Sequence, residues 1–280
     1  MKYAIYRLIP RLWLSRIFYY LARIENYYFK NSLIFIFSKI TGANCDFAAR
    51  KNLYEYKSLL DFFTRELAPG AREINAQENA IVSPVDGRVA IYGDINNQQL
   101  FQAKNHKYAL SALLNCPLRA KKYESGKTIT IYLAPDDYHR IHAPVDCVLQ
   151  SMSFCPGDKH SVAINLLEKI DGLFIANERL VCNFSSARGE FSLVMVGALN
   201  VGSLATVWSG EVKNNIEDGN FYFYPDGNIS FKKGDEIGRF NLGSTVILCF
   251  EKSFNLQFDN PKIDTKEKIY LGEKIAVWEE

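Results

Sequence analysis

Leu242-Gly243-Ser244-Thr245 runs directly into Val246-Ile247-Leu248-Cys249-Phe250. The five apolar residues span one strand, so the segment reads as a buried β-strand entered through a glycine turn. A Gly-Ser step before a strand says little more by itself. Its weight comes from two distant stretches, Ser83-Pro84-Val85-Asp86-Gly87-Arg88-Val89 and Asp137-Tyr138-His139-Arg140-Ile141-His142-Ala143-Pro144. An acid, a histidine and a serine brought together are the parts of an activated hydroxyl nucleophile.

The strand at 245–250 has many companions. Thr128 to Leu133, Leu193 to Leu199, Leu204 to Trp208 and Ile275 to Trp278 are further β-type runs, punctuated by Gly, Pro, Asn and Asp. A helix is predicted around Tyr108 to Leu114. Ser83-Pro84-Val85-Asp86-Gly87 is echoed by Ala143-Pro144-Val145-Asp146-Cys147, and Pro156-Gly157-Asp158 by Lys233-Gly234-Asp235. Such turn chemistry can converge, yet the echo also suggests a duplicated unit similar to lipoyl-like hybrid folds. The predicted fold class is α+β. N-terminal amphipathic helices and a connector (1–75) precede a β-rich sandwich or barrel domain (76–280).

Net charge over the 280 residues is +2, which argues against a nucleic-acid-binding surface. Basic charge is concentrated at the start. Lys2, Arg7, Arg11, Arg16, Arg23, Lys30 and Lys39 face one acid, Glu25, within residues 1–45. Ile5, Leu8, Ile9 and Leu12 follow helical spacing, Pro10 starts or kinks a helix, and one continuous helix would align Arg16, Arg23 and Lys30. Trp13, Leu14, Ile17, Phe18, Tyr19, Tyr20 and Leu21 supply the apolar side. A helix of this kind suits an anionic membrane surface or, equally, packing on protein. The region reads neither as a signal peptide nor as a transmembrane helix, because no uncharged run approaches the ~20 residues that a span requires. Leu59, Leu60, Phe62 and Phe63 suggest a short helix in the connector, ended by Pro69-Gly70. None of the six cysteines, Cys45, Cys116, Cys147, Cys155, Cys182 and Cys249, forms a C-x-x-C pair, which favours reduced thiols in a cytosolic setting.

Only four histidines occur: His106, His139, His142 and His160. Two share one short stretch with an Asp-Tyr pair, which marks that stretch as a candidate site. Pro144 limits any helix there. Either a turn presents both His139 and His142, or one serves the site and the other its neighbour.

The three motifs, in this order, resemble the phosphatidylserine decarboxylase family of the bacterial membrane-bound type. The resemblance extends to Tyr56-Lys57-Ser58, Phe62-Phe63-Thr64-Arg65, Asn177-Glu178-Arg179, Val196-Gly197-Ala198, Val201-Gly202-Ser203 and Gly238 to Thr245. It implies a chain that cuts itself. Asp86 would orient His142, and His142 would deprotonate Ser244. The Ser244 hydroxyl would attack the Gly243 carbonyl, leaving chains 1–243 and 244–280 with Ser244 converted to a pyruvoyl cofactor. It further implies that this ketone forms a Schiff base with phosphatidylserine and acts as electron sink for its decarboxylation to phosphatidylethanolamine. His139 would be the proton donor. The implied protein carries no metal and binds no nucleic acid. Its two chains stay associated in a homodimer lying peripherally on the cytoplasmic face of the membrane.

Two other readings compete. A zinc hydrolase could use His139, His142 and Asp86 as ligands, although no further His or Cys is spaced to make that signal specific. A membrane-attached carrier without catalysis would explain the echoed turns but leave Asp86, His142 and Gly243-Ser244 as coincidence.

Overall fold

The computed structural model describes residues 10–103, 106–162, 167, 169–198, 203–212, 221–224, 229–241 and 244–279. Leu242, Gly243, Val201, Gly202 and the residues before Pro10, Ile5, Leu8 and Ile9 among them, lie outside the described residues.

Helix α1 (Arg11–Leu21) follows Pro10 directly. Helix α2 (Tyr27–Thr41) starts at Asn26, whose side chain accepts from the Phe29 amide, and stops at Gly42 with φ 85°. The aligned basic stripe expected over Arg16, Arg23 and Lys30 is therefore not formed, because Arg23 sits in the break between two helices. The Ala22 carbonyl at that break accepts from the Leu60 amide at 2.8 Å. Arg23 turns onto Glu211 at 3.0 Å, and Lys30 is buried against the Tyr54 carbonyl. Helix α3 (Leu59–Phe63), capped by Ser58, buries Leu59, Phe62 and Phe63 with Ala22, Ile34 and Tyr56 in a small core of its own.

The remainder is built from β1 (Ala80–Val82), β2 (Gly87–Asp94), β3 (Gln99–Ala103), β4 (His106–Ala109), β5 (Lys127–Leu133), β6 (Arg140–His142), β7 (Cys147–Cys155), β8 (Arg179–Ser186) and β9 (Gly189–Val196). These are followed by β10 (Leu204–Thr206), β11 (Gly210–Val212), β12 (Phe221–Phe223), β13 (Ser230–Phe231), β14 (Glu236–Phe240), β15 (Ser244–Phe250), β16 (Leu256–Phe258), β17 (Lys268–Ile269) and β18 (Lys274–Trp278). Short helices α4 (Leu110–Leu114), α5 (Pro117–Lys122), α6 (Leu173–Ala176) and α7 (Pro261–Thr265) lie between strands. The helix predicted from Tyr108 begins two residues later, since Tyr108 and Ala109 pair as strand with β3. The strand predicted to Trp208 ends at Thr206, whose hydroxyl accepts from the Ser209 amide and closes a turn.

The largest sheet runs β12-β7-β8-β9-β15-β5-β2-β17, with β13 also on β7. Among the described residues all its neighbouring strands pair antiparallel, as the alternation of hydrophobic strands and tight turns requires. Among the described residues its end strands do not pair with each other, so the barrel alternative does not hold. Both ends are strands of two or three residues, which terminate a sheet rather than close it. Three smaller sheets, β1-β18-β16, β11-β10-β14-β6 and β3-β4, complete the set. The former two share a core with the large sheet through Ile81, Ile275, Ile141, Ile237 and Phe240.

The register of the large sheet decides where chemistry can occur. Ser244 pairs with Leu133, and Thr245 with Val196. Gly87 and Arg88 open β2 opposite the end of β5. Arg179 opens β8 against Val196, and Cys155 ends β7 against Arg179. One end of the sheet thus gathers Asp86, the loop 134–139, Ser244, Gly197, Asn177-Glu178 and Asp158. Gly87 must be glycine there, since a Cβ would sit 2.5 Å from the Tyr132 carbonyl oxygen.

The echoed segments are built alike and bind each other. The Val82 amide donates to the Pro144 carbonyl at 3.0 Å, and the His142 amide to Pro84 at 2.9 Å. Ser83 exchanges two backbone bonds with Gly272 and Glu273, and Ala143 does the same with Gly234 and Asp235. The structural mate of Lys233-Gly234-Asp235 is therefore Leu271-Gly272-Glu273, not Pro156-Gly157-Asp158. Gly234 and Gly272 share left-handed φ values of 93° and 85°. Gly157 instead lies against the Ala176 backbone.

Candidate active site

Asp86 is buried at the root of β2. Arg72 grips it through both oxygens, Nε at 3.1 Å and Nη2 at 2.6 Å, and the Leu271 amide adds a bond at 2.8 Å. The mirrored Asp146 accepts the Lys233 amide in the same way and pairs with Lys232, but in the open, with side chains 57% and 82% exposed. The amide bond is thus part of the bend itself, while burial and Arg72 are particular to Asp86.

His142 ends β6. Its Nδ1 lies 2.7 Å from the Gly234 carbonyl oxygen. A carbonyl can only accept, so Nδ1 carries the proton and Nε2 is the basic nitrogen. The Tyr138 hydroxyl donates to that Nε2 at 3.0 Å. Burial, ahead of the opposing Gly234 bond, holds His142 below its ordinary pKa, so the ring is neutral near pH 7. Asp86 shares no hydrogen bond with His142. The orienting acceptor is the Gly234 carbonyl, and Asp86 acts on the ring only through its charge.

His139 is fully buried, with its ring centroid 3.9 Å from that of Phe63. Nδ1 donates to the Asp137 carbonyl at 2.8 Å, while Nε2 is buried without a partner. Burial, chiefly, pushes its pKa down to about 3. Thr245 Oγ1 is buried and unpartnered as well. Such orphaned groups are rare in folded proteins and mark places where something else binds.

The loop bearing His139 is held from below. Arg65 donates through Nη2 to the carbonyls of Asp136 at 2.8 Å and Asp137 at 3.3 Å. The Asp137 carboxylate accepts from the Ala134 amide and pairs with Lys268. Arg65, Arg72, Asp86, Asp137, Tyr138 and Lys268 surround a cavity of about 110 Å³. Further along the same edge, buried Glu178 pairs with Lys159 at 3.0 Å beneath Gly197, where a Cβ would meet Glu178 Cγ at 2.9 Å.

The structure thus brings the segments of Asp86, His139, His142 and Ser244 to one sheet end, with Ser244 the first residue of β15 beside Leu133, from which the His139 loop leaves. Gly243 lies outside the described residues. Among the described residues no three His, Cys, Asp or Glu side chains group as metal ligands.

A family model for phosphatidylserine decarboxylase matches residues 59–277. The chain is 42% identical over 275 residues to a protein of Methylobacillus flagellatus named phosphatidylserine decarboxylase proenzyme, covering 96% of both. Proteins of the same name from Hahella chejuensis and Coxiella burnetii are 39% and 40% identical, over 96% and 97% of this chain and 90% and 96% of their own lengths. The chain belongs to the phosphatidylserine decarboxylase family. Members of this family are carboxy-lyases, and the word proenzyme in its relatives' names denotes a precursor. The matched span contains every candidate residue: Asp86, His139, His142, Gly243 and Ser244.

Four polar residues around this decarboxylase-family site were not singled out in the sequence. Tyr138 and Arg65 stood inside quoted motifs, but which hydrogen bonds they make depends on the fold. Arg72 and Lys268 carried no sequence signal. Each reaches an acid across the chain, Arg72 to Asp86 and Lys268 to Asp137.

Proposed function

We propose that this chain decarboxylates phosphatidylserine to phosphatidylethanolamine after cutting itself between Gly243 and Ser244. The observation that carries this reading is the convergence on one sheet end of the Asp86, His139–His142 and Ser244 segments. In the first stage His142 Nε2 takes the Ser244 hydroxyl proton once Tyr138 has released it. The hydroxyl oxygen bonds to the Gly243 carbonyl carbon and the peptide C–N bond breaks, giving an ester. Elimination frees the Gly243 carboxylate, and hydrolysis releases ammonia, leaving a ketone at residue 244. A pyruvoyl group there supplies an electrophile for the substrate amine, through a Schiff base, and an electron sink for carbon dioxide loss.

The surroundings fit such a group, because Thr245 Oγ1 and His139 Nε2 are buried polar atoms awaiting a partner. The neutral His139 ring, with a pKa of about 3, carries its proton on Nδ1, so its bare Nε2 first takes a proton from the entering substrate ammonium group and then returns it to the carbon that loses carbon dioxide. The division is a membrane-associating region (1–75) and a catalytic domain (76–280), carried as chains 1–243 and 244–280. The chains stay joined because β15 is hydrogen-bonded between β9 and β5.

Among the described residues no helix is long and apolar enough to cross a membrane. Helices α1 and α2 expose Leu12, Trp13, Ile17, Tyr20, Tyr28, Phe35, Ile36 and Ile40, and α1 buries only Ser15. That apolar surface, with exposed Arg16 and Lys39 beside it, supports peripheral attachment to an anionic lipid surface at the cytoplasmic face. A homodimer and a duplicated hybrid-type ancestry are part of the same reading, the latter supported by the reciprocal pairing of the echoed bends.

Vesicles containing phosphatidylserine test the reaction. The wild-type chain is expected to release carbon dioxide and form phosphatidylethanolamine, and Ser244→Ala to release none above background. Equal turnover by both would overturn the role of residue 244.

A further inference from the structure

We infer that Arg72 is a positioning residue for self-cleavage, fixing the ionised Asp86 carboxylate at the root of β2, from where its charge acts on His142. The inference rests on the proposed role of Asp86 and goes beyond it by naming what holds that acid in place. Arg72 lies in the connector, outside the motifs. Its guanidinium is held between the rings of Phe47 and Tyr270, at 4.6 and 4.7 Å from their centroids, while Nη1 donates to the Ala71 carbonyl at 2.8 Å. Nε and Nη2 are left aligned on the two Asp86 oxygens. A planar fork held this way loses little freedom on binding a carboxylate.

The molecule carries its own comparison. The mirrored bend at Asp146 makes the same amide bond but pairs with exposed Lys232. The bend therefore forms without a buried ion pair. Burying one costs desolvation that the Coulomb attraction barely repays, so stability alone is a poor reason for it. The buried copy is the one whose charge reaches His142.

Other charged groups also face Asp86. Lys268 comes from β17, Arg65 from the residue following the α3 cap, and Tyr138 and His142 from the loop and β6. Lys268 is committed to Asp137, and Arg65 to backbone carbonyls. Among the described residues Arg72 is the cation hydrogen-bonded to Asp86. It also lines both the inner 110 Å³ cavity and an outer groove of about 880 Å³, so its side chain forms part of the wall between them.

The test follows self-cleavage of the full-length chain, made by cell-free synthesis, on denaturing gels at neutral pH. Arg72→Gln, which loses the charge and the planar fork, is expected to cleave at least about tenfold more slowly than the wild type. Arg72→Lys keeps the charge and is expected to fall between, a partial rescue that a merely structural loss would not give. Lys232→Gln is expected to match the wild type. Wild-type cleavage by Arg72→Gln, or equal slowing in Arg72→Gln and Arg72→Lys, would overturn the inference. If Arg72→Gln gives no soluble chain, Arg72→Lys decides, and a wild-type rate would overturn it. Asp86→Asn separates the two levels, since normal cleavage in that variant would remove the proposed role of Asp86 itself.

Discussion

A His142→Ala chain is expected to remain one polypeptide of 280 residues under conditions that cut the wild type. General-base assistance contributes about 10²–10⁴-fold, and a serine hydroxyl unaided is a weak nucleophile at pH 7. The tautomer is fixed by the Gly234 carbonyl, so Nε2 is the only nitrogen able to take a proton. Burial keeps that nitrogen neutral into mildly acidic solution, and the wild-type rate is expected to fall only as the pH drops through the depressed His142 pKa. Gels of freshly made chain, sampled over hours, give the result. Wild-type cleavage by the alanine variant would remove His142 from the mechanism.

A His139→Ala chain is expected to behave in the opposite way. It should be cut, because His139 makes no bond to His142 or to Asp86, yet turn over phosphatidylserine at least about 10²-fold more slowly. Loss of both steps would mean that the His139 loop serves the fold rather than proton transfer. The same residue should leave a mark on stability. Its folded pKa, about 3, lies well below the ordinary histidine value of about 6.5. Between those values the unfolded chain binds a proton that the folded chain refuses. Stability is therefore unaffected above pH 6.5 and falls by roughly 1.4 kcal/mol per pH unit below it for this group. Between pH 7 and pH 5, denaturant titrations should show the wild type losing about 2 kcal/mol more than His139→Ala.

The β-rich core and its central strand were legible because Val246 to Phe250 is an unbroken apolar run and Thr128 to Leu133 a run of β-branched and aromatic residues, both bounded by turn residues. The site was legible as a set of motifs, since Asp86, His139, His142 and Ser244 sit at strand ends that the register brings together. Their hydrogen bonds were not. The family resemblance implied that Asp86 would orient His142, whereas His142 Nδ1 is hydrogen-bonded to the Gly234 carbonyl, 92 residues away. Nothing local encodes a backbone acceptor from the distant turn between β13 and β14. The N-terminal stripe failed for a related reason. Periodicity assumed one helix through Arg23, but the Asn26 cap starts a second one. The barrel alternative failed because short edge strands carry no signal of whether a sheet closes. The second echo was mispaired because Gly-Asp is common turn chemistry, and only the backbone bonds to Ser83 and Ala143 identify the true partners.

The central claim is that the chain makes its own catalytic ketone from Ser244. Intact mass under denaturing conditions tests it most directly. The account predicts two polypeptides that divide between Gly243 and Ser244, the smaller lighter by one ammonia than a peptide beginning with serine. A single full-length chain, unchanged after prolonged incubation at neutral pH, would contradict it.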